Sequence, residues 1–547
     1  MNEEYNCDFL LKNAQIVDGK NHKVFKGSVT IQGDSIKDII KNEEELASIN
    51  PKETLDVKNR FLFPGIIDFH GHSDLQVIRD PSMKCKLAQG ITTEIAGNCG
   101  VGVYPIDITN DTIVEAINDN TRDVLGEGHY APDSYNWHDF KTYVDFVRNQ
   151  GSGTNIMYLQ SHTALRCNAV LPNPNRAATD AELDTMCDML DKSLSQGCLG
   201  FSSGLYYAPC VYATEKELIA LLNVVKKHNK IFTVHHRCEG DDVIDSLKEV
   251  INLARITGVR LEISHLKAIG KDNQKYVEEM LSLIKKARQE KIDVAFDQYP
   301  YDFGSTSLSS MLPPSYLKLG PDKLRKALSS KEDREKIKAL IIAGEGFDSL
   351  IKMCGFENIK IMYLEHNRDL EGLSLVECSK KLYGDETDEN CYNAFFDILR
   401  DEKGVALMED VTQSLDSMQK IMKDNLGVFG TDALYSGGEL PSHPRSYHSV
   451  PHYLDLFYKK YHTLSLEELI YRATYKSAQR LSLDDRGAIQ KGFKADIVIC
   501  DLENLEDNSN SNTQKPSKGI DEVFVNGKHV LSNGTIIAEP SGKIITF

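Results

Sequence analysis

The sequence predicts an α/β protein: a distorted TIM-type (β/α)8 barrel, a small β-sandwich built from both ends of the chain, and an insertion after barrel strand seven. Three observations lead there. Eight short apolar runs (GIIDFH, TTEIAGNC, TNIMYLQSH, GCLGFSS, KIFTVHH, VRLEISH, IDVAFDQY and NLGVFGTD) alternate with stretches of helical period, the pattern of buried parallel strands joined by helices. The intervals His235 to His265 and His265 to Asp297 are 30 and 32 residues, about one strand plus one helix each. Both chain ends lack this period.

Residues 1–63 read as short alternating strands, FLLKNAQIVDG and GSVTIQGDSIKDII, broken by Gly, Asn and Lys. The barrel is expected over 64–311 and 416–481. Its helices are signalled locally: 214–228 opens with Thr214 three residues before Glu217, a capping box, and 241–257 stops at Gly258. From Asp297 to Asp432 is 135 residues, about 100 more than one strand-helix unit requires. The surplus, 312–415, is rich in Lys, Glu and Asp with helical period and is expected as a lid-like subdomain over the barrel mouth. Residues 482–547 return to strands, KADIVICD, IDEVFVNGKHVL and GKIITF, which would complete one sheet assembly with the N-terminal segment.

Composition narrows the function. The 547 residues carry 63 Lys and Arg against 81 Asp and Glu, a net charge of −18. Nucleic-acid binders need a basic face to displace counterions, and a net anion is repelled by anionic membrane surfaces, so neither partner is expected. No run approaches the length of a membrane span, and MNEEYNCDFLLKN has neither the basic start nor the apolar stretch of a secretory signal. The expected compartment is the cytoplasm, where the 12 cysteines, none in a C-x-x-C pair, stay reduced.

His70-Gly71-His72 ends the first predicted strand, and alternate residues of a strand share a face. Cys99 ends the second, His162 follows the third, His235 and His236 the fifth, His265 the sixth and Asp432 the eighth. Any one alone is ordinary, but strand ends converge in a barrel, and thiolate, imidazole and carboxylate together in reducing conditions suit Zn²⁺.

FPGIIDFHGHSD, GITTEIAGNCG, GFSSGLYYAP, VHHRCEGD, ISHLK, DQYPYDFGST, GTDALY, HPRSYHSVP and KGFKADIVICD, in that order, resemble the amidohydrolase superfamily, and within it the D-aminoacylase (N-acyl-D-amino-acid deacylase) branch. The resemblance spans almost the whole chain. It implies one tightly bound zinc ion on Cys99, His235 and His265, and a weaker second site from His70, His72 and Asp432 with Cys99 bridging. His236 stands where the family more often has an apolar residue; only one of the two neighbours can point inward, and the match favours His235. GCLGFSSGLYYAP contains no Lys, so the carboxylated lysine of hydantoinases and dihydroorotases is not expected.

The implied reaction is hydrolysis of the amide bond of a small N-acyl-D-amino acid. Zinc acidifies water toward a pKa of about 7, and Asp432 takes the proton and passes it to the departing amine. Tyr207 corresponds to the family tyrosine that polarises the carbonyl, with Tyr206 its rival. Lys267, Tyr299, Ser305 and Arg445 are the candidates for holding the substrate carboxylate. Two other readings stand beside this one: a dipeptidase or cyclic-amide hydrolase on the same barrel, and a non-catalytic scaffold, which would have shed the ligands that this sequence keeps.

Overall fold

Eight parallel strands form the centre of the computed structural model, which describes residues 5–125, 135–402, 406–434, 443–509 and 515–547. In chain order they are Ile66–Asp68, Ile91–Ala96, Asn155–Ser161, Gly200–Gly204, Ile231–His235, Arg260–Ile263, Val294–Gln298 and Gly427–Phe429, each paired with the next. They coincide with the eight predicted runs. First and eighth strands meet where Phe69 N–H donates to Phe429 O and Asp432 N–H to His70 O, at 3.1 and 2.8 Å, so the sheet curls back on itself and its strand ends face one another.

The helices form as the local chemistry dictates, with one exception. Thr214 caps Glu215–Lys227 by accepting from Glu217 N–H, and Val243–Thr257 ends at Gly258 in the left-handed conformation. The reciprocal half of the predicted capping box is missing. The Glu217 carboxylate turns inward to His162 Nε2, 2.9 Å away, and to the buried Arg166. A buried guanidinium needs its counter-charge more than a helix end needs a second cap.

Nine strands from the two chain ends form one continuous sheet. Phe61–Pro64 joins its halves, pairing parallel with Cys7–Val17 on one side and antiparallel with Ile497–Cys500 on the other. Leu11, Ile16, Ile31, Leu62, Ile497 and Phe524 of this sheet pack together as one buried cluster. The terminal GKIITF segment does not join this sheet as expected. Ile544 bridges Ile156 of the third barrel strand. The fourth barrel strand begins pairing only at Leu159, which leaves the backbone of Ile156 open on that side, and the chain terminus fills the gap.

The long segment between the seventh and eighth strands holds a three-stranded antiparallel sheet, Phe303–Ser307, Ala406–Val411 and Ile359–Leu364, with Ala406–Val411 in the middle. Helices including Lys331–Ala343 and Asp388–Asp401 pack on it around their own core of Ile337, Ile341, Phe395 and Met408. This sheet reaches back to residue 303, before the expected start of the insertion at 312, because Phe303–Ser307 finds its partner in Ala406–Val411 rather than in the barrel.

Candidate active site and metal centre

The barrel topology brings to one point six side chains that are far apart in sequence. His70 and His72 follow the first strand, Cys99 the second, His235 ends the fifth, His265 follows the sixth and Asp432 the eighth. Cys99, His265 and Asp432 have φ of 51°, 34° and 51°. Left-handed backbone at three non-glycine residues costs about 1–3 kcal/mol each. The surroundings hold it: His265 N–H donates to Asp297 Oδ1 at 2.8 Å, and Asp432 N–H to His70 O. The sharp turns aim all three side chains into the barrel mouth instead of along the strands.

Cys99 Sγ lies 3.3 Å from His265 Nε2, 3.9 Å from His235 Nδ1 and 3.3 Å from His70 Nε2. Sulfur and nitrogen bonded to one tetrahedral zinc ion are about 3.6 Å apart, given bonds of about 2.3 and 2.0–2.1 Å, so these separations bracket what one ion needs. Asp432 Oδ1 stands 3.1 Å from His72 Nε2 and 3.5 Å from His70 Nε2, which fits a second position sharing the Cys99 thiolate. Cys99, His70, His265 and Asp432 are thus grouped as metal donors would be. His236 points away, its Nδ1 2.9 Å from Ser246 Oγ, and burial pushes it down to about 3. His162 bonds Ser203 and Glu217 and takes no part.

The ring nitrogens of His235 and His265 that face away from Cys99 meet a buried carboxylate. Glu239 Oε2 is 3.6 Å from His235 Nε2 and Oε1 is 3.0 Å from His265 Nδ1. Asp297 does the same for His70, 3.1 Å from its Nδ1. Asp297 so placed fixes the His70 tautomer that leaves its inner nitrogen free for a metal, while Glu239 acts on His235 and His265 through its charge, its Oε1 making no hydrogen bond to any described residue and Lys267 Nζ lying 3.0 Å from His265 Nδ1. Burial opposes ionisation of Cys99, yet His70 and His265 hold its thiol well below the usual range. Asp432 follows the same balance: burial raises it, and Arg445 with the neighbouring histidines holds it well below the usual carboxylate range.

Lys267 and Arg445 are buried, not surface charges. Each is already paired, Lys267 Nζ with Glu239 at 2.7 Å and Arg445 Nη1 with Asp432 at 2.7 Å. Arg445 Nη2 also donates to Ser305 O at 2.9 Å. Tyr299 stands between the two cations, its ring 5.7 Å from Lys267 Nζ and 5.3 Å from Arg445 Cζ. Tyr206 and Tyr207 both border the cavity beside His235. The Tyr206 hydroxyl donates to Ser310 O, whereas that of Tyr207 meets only the Thr306 hydroxyl, 3.2 Å away. The inserted segment closes the far wall with Asp348, Leu350 and Asp410.

Residues 61–530 match the amidohydrolase family. The chain belongs to that family. D-aminoacylase of Alcaligenes xylosoxydans xylosoxydans is 28% identical over 540 residues, covering 98% of this chain and 97% of that protein. N-acyl-D-aspartate deacylase of the same organism is 26% identical, covering 98% and 95%. Among solved structures, N-acyl-D-glutamate deacylase from Bordetella bronchiseptica, complexed with zinc and a phosphonate mimic of the tetrahedral intermediate, superposes with a TM-score of 0.80 at 25% identity over the full length of both chains. The amidohydrolase fold and a metal-binding centre are therefore common ground between this chain and its relatives. Beyond the candidate residues legible in the sequence, the structure adds Glu239, Asp297 and Asp410. The first two had a signal: Glu239 follows His235 by four residues in VHHRCEGD, and Asp297 sits in the seventh strand's DQY. Asp410 had none.

Proposed function

We propose that the protein hydrolyses the amide bond of N-acyl-D-amino acids to a carboxylate and a free D-amino acid. One observation carries this: the Cys99, His235, His265 donor set and Asp432 open onto one cavity that also holds Lys267, Arg445, Tyr299 and Ser305. Full-length relatives that act on N-acyl-D-amino acids support it. Cys99, His235 and His265 would hold one zinc ion, and His70, His72 and Asp432 would form a weaker second site beside it. Zinc supplies Lewis acidity and an acidified water near neutral pH.

The chain's own groups do the rest. Asp432, ionised at neutral pH, takes a proton from the attacking water and delivers it to the amine, so that the amide carbon gains hydroxyl and the nitrogen gains hydrogen. Tyr207, whose hydroxyl is the less committed of the pair, donates to the amide oxygen as negative charge builds there. Lys267 and Arg445, on either side of Tyr299, set the field that draws the substrate carboxylate. A neighbouring cavity of about 480 Å³, beyond Tyr206, Tyr207 and Thr306 and lined in part by Leu312, Leu317 and Phe347, offers room for the acyl group. We place the enzyme in the cytoplasm, where its twelve unpaired cysteines remain reduced; among the described residues, no helix is long and apolar enough to cross a membrane.

The test is the zinc content of protein purified without chelator, with amine release from N-acetyl-D- and N-acetyl-L-amino acids. About one zinc ion with D-selective release supports the reading. Activity confined to L-substrates, dipeptides or cyclic amides overturns it.

A further inference from the structure

We propose that Asp410 selects the substrate side chain, and that the preferred substrates are N-acyl derivatives of basic D-amino acids, with an ammonium or guanidinium at the end of an aliphatic stem. The proposal rests on the deacylase reading above and goes further, because nothing in that chemistry chooses a side chain.

Asp410 lies on the central strand of the inserted sheet, opposite Gly304 and Ile359. It is 3% exposed and borders the same cavity as the metal donors. Its carboxylate makes no hydrogen bond and no ion pair with any described residue. The other charged groups of the cavity are committed: Lys267 to Glu239, Arg445 to Asp432. Asp348, the second carboxylate of the same wall, accepts from the backbone N–H of Glu239 and Gly240 at 2.6 and 3.0 Å and from the Cys238 thiol. Asp410 is the one carboxylate lining this cavity, among the described residues, that is left without a donor.

A buried carboxylate without a partner is unfavourable, and a cation that reaches it removes that penalty. The walls suit such a cation. Ile269 and Leu350 border the same cavity, apolar surface on which methylenes can lie while the charged head reaches past them. A Cβ at Gly304 would stand 3.1 Å from Asp410 Oδ1, so the glycine keeps the approach to the carboxylate clear. An acidic side chain in this space would face Asp410 as a like charge, and an aliphatic one would leave it unpaired. Selectivity should therefore run opposite to that of relatives named for D-aspartate and D-glutamate.

The experiment compares kcat/KM of the zinc-loaded enzyme on N-acetyl-D-lysine, N-acetyl-D-arginine, N-acetyl-D-leucine and N-acetyl-D-glutamate. A charge-assisted bond gained by the substrate predicts a preference of about tenfold or more for the basic substrates over leucine, with glutamate poorest. In Asp410→Asn the lysine-to-leucine ratio falls by about that factor. Gly304→Ala, which crowds the carboxylate without removing it, lowers the same ratio. Asp410→Asn also melts no lower than wild type, because a buried carboxylate with no donor in contact is gone. A wild-type preference for leucine or glutamate, or equal losses on all four substrates, overturns the proposal. If wild type hydrolyses none of them, the deacylase reading fails, and calorimetric titration with free D-lysine, D-leucine and D-glutamate decides the pocket alone. Lysine-selective binding lost in Asp410→Asn upholds it, and equal binding refutes it.

Discussion

Glu239→Gln removes one negative charge from beside His235 and His265, proposed to hold the metal, and leaves the shape unchanged. Glu239 is 2% exposed and touches three groups: Lys267 Nζ at 2.7 Å, His265 Nδ1 at 3.0 Å and His235 Nε2 at 3.6 Å. Depriving a buried ammonium of its counter-ion costs about 3–5 kcal/mol; the Gln oxygen still accepts and returns about 1 kcal/mol, so about 2–4 kcal/mol remains. The histidines lose the neighbouring negative charge that favours a proton on their outer nitrogens, and loss of such a partner weakens metal binding about 10–100-fold, or about 1.4–2.7 kcal/mol. The assay is equilibrium competition for zinc against a chromophoric chelator, with the melting temperature of the metal-free protein alongside. A zinc Kd within threefold of wild type, together with an unchanged melting temperature, would refute the assignment of Glu239 as the charge that acts on His235 and His265.

Asp432→Asn should keep zinc on Cys99, His235 and His265 while kcat falls about 10²–10⁴-fold, checked by metal analysis and steady-state rates. Because Arg445 and the histidines outweigh burial and hold Asp432 well below the usual carboxylate range, its pairing stabilises the fold fully above pH about 4, the unfolded carboxylate value. That contribution disappears only as pH falls through the lower folded value. Arg445→Gln raises the folded value, so the acid limb of the kcat/KM profile moves to higher pH; a limb that stays put contradicts this. His235→Gln should lose zinc in the chelator assay and His236→Gln should retain it. Metal content and rate should not respond to added bicarbonate, because the fourth strand, Gly200–Gly204, carries no lysine to carboxylate; stimulation by bicarbonate would contradict the site.

The barrel was legible because each strand is a short apolar run and each strand-helix unit repeats at a near-constant interval. The candidate metal ligands were named by the family resemblance, and their shared location was legible because a residue at a strand end is placed at the barrel mouth by topology alone. Less was legible where one group competes with another. The Glu217 capping box looked complete in sequence, but Arg166 and His162, more than 50 residues earlier, claim the carboxylate. GKIITF has the alternation of a sheet strand, but an open backbone edge at Ile156 draws it to the barrel instead.

By itself the sequence determined the eight-stranded topology, the sheet drawn from both chain ends, the insertion, and the Cys, His and Asp set at the strand ends. These follow from periodicity and order along the chain, which encode what each segment buries. Only the tertiary structure decided which of His235 and His236 turns inward, that Tyr207 and not Tyr206 keeps its hydroxyl nearly free, that Glu239 takes the charge of Lys267, and that Asp410 meets the active-site cavity. Each of these depends on contacts between elements far apart in the chain. Asp410 is 106 residues from Gly304, its pairing partner on the next strand, and whether its carboxylate finds a donor is settled by how the inserted sheet packs against the barrel mouth, which no local pattern records.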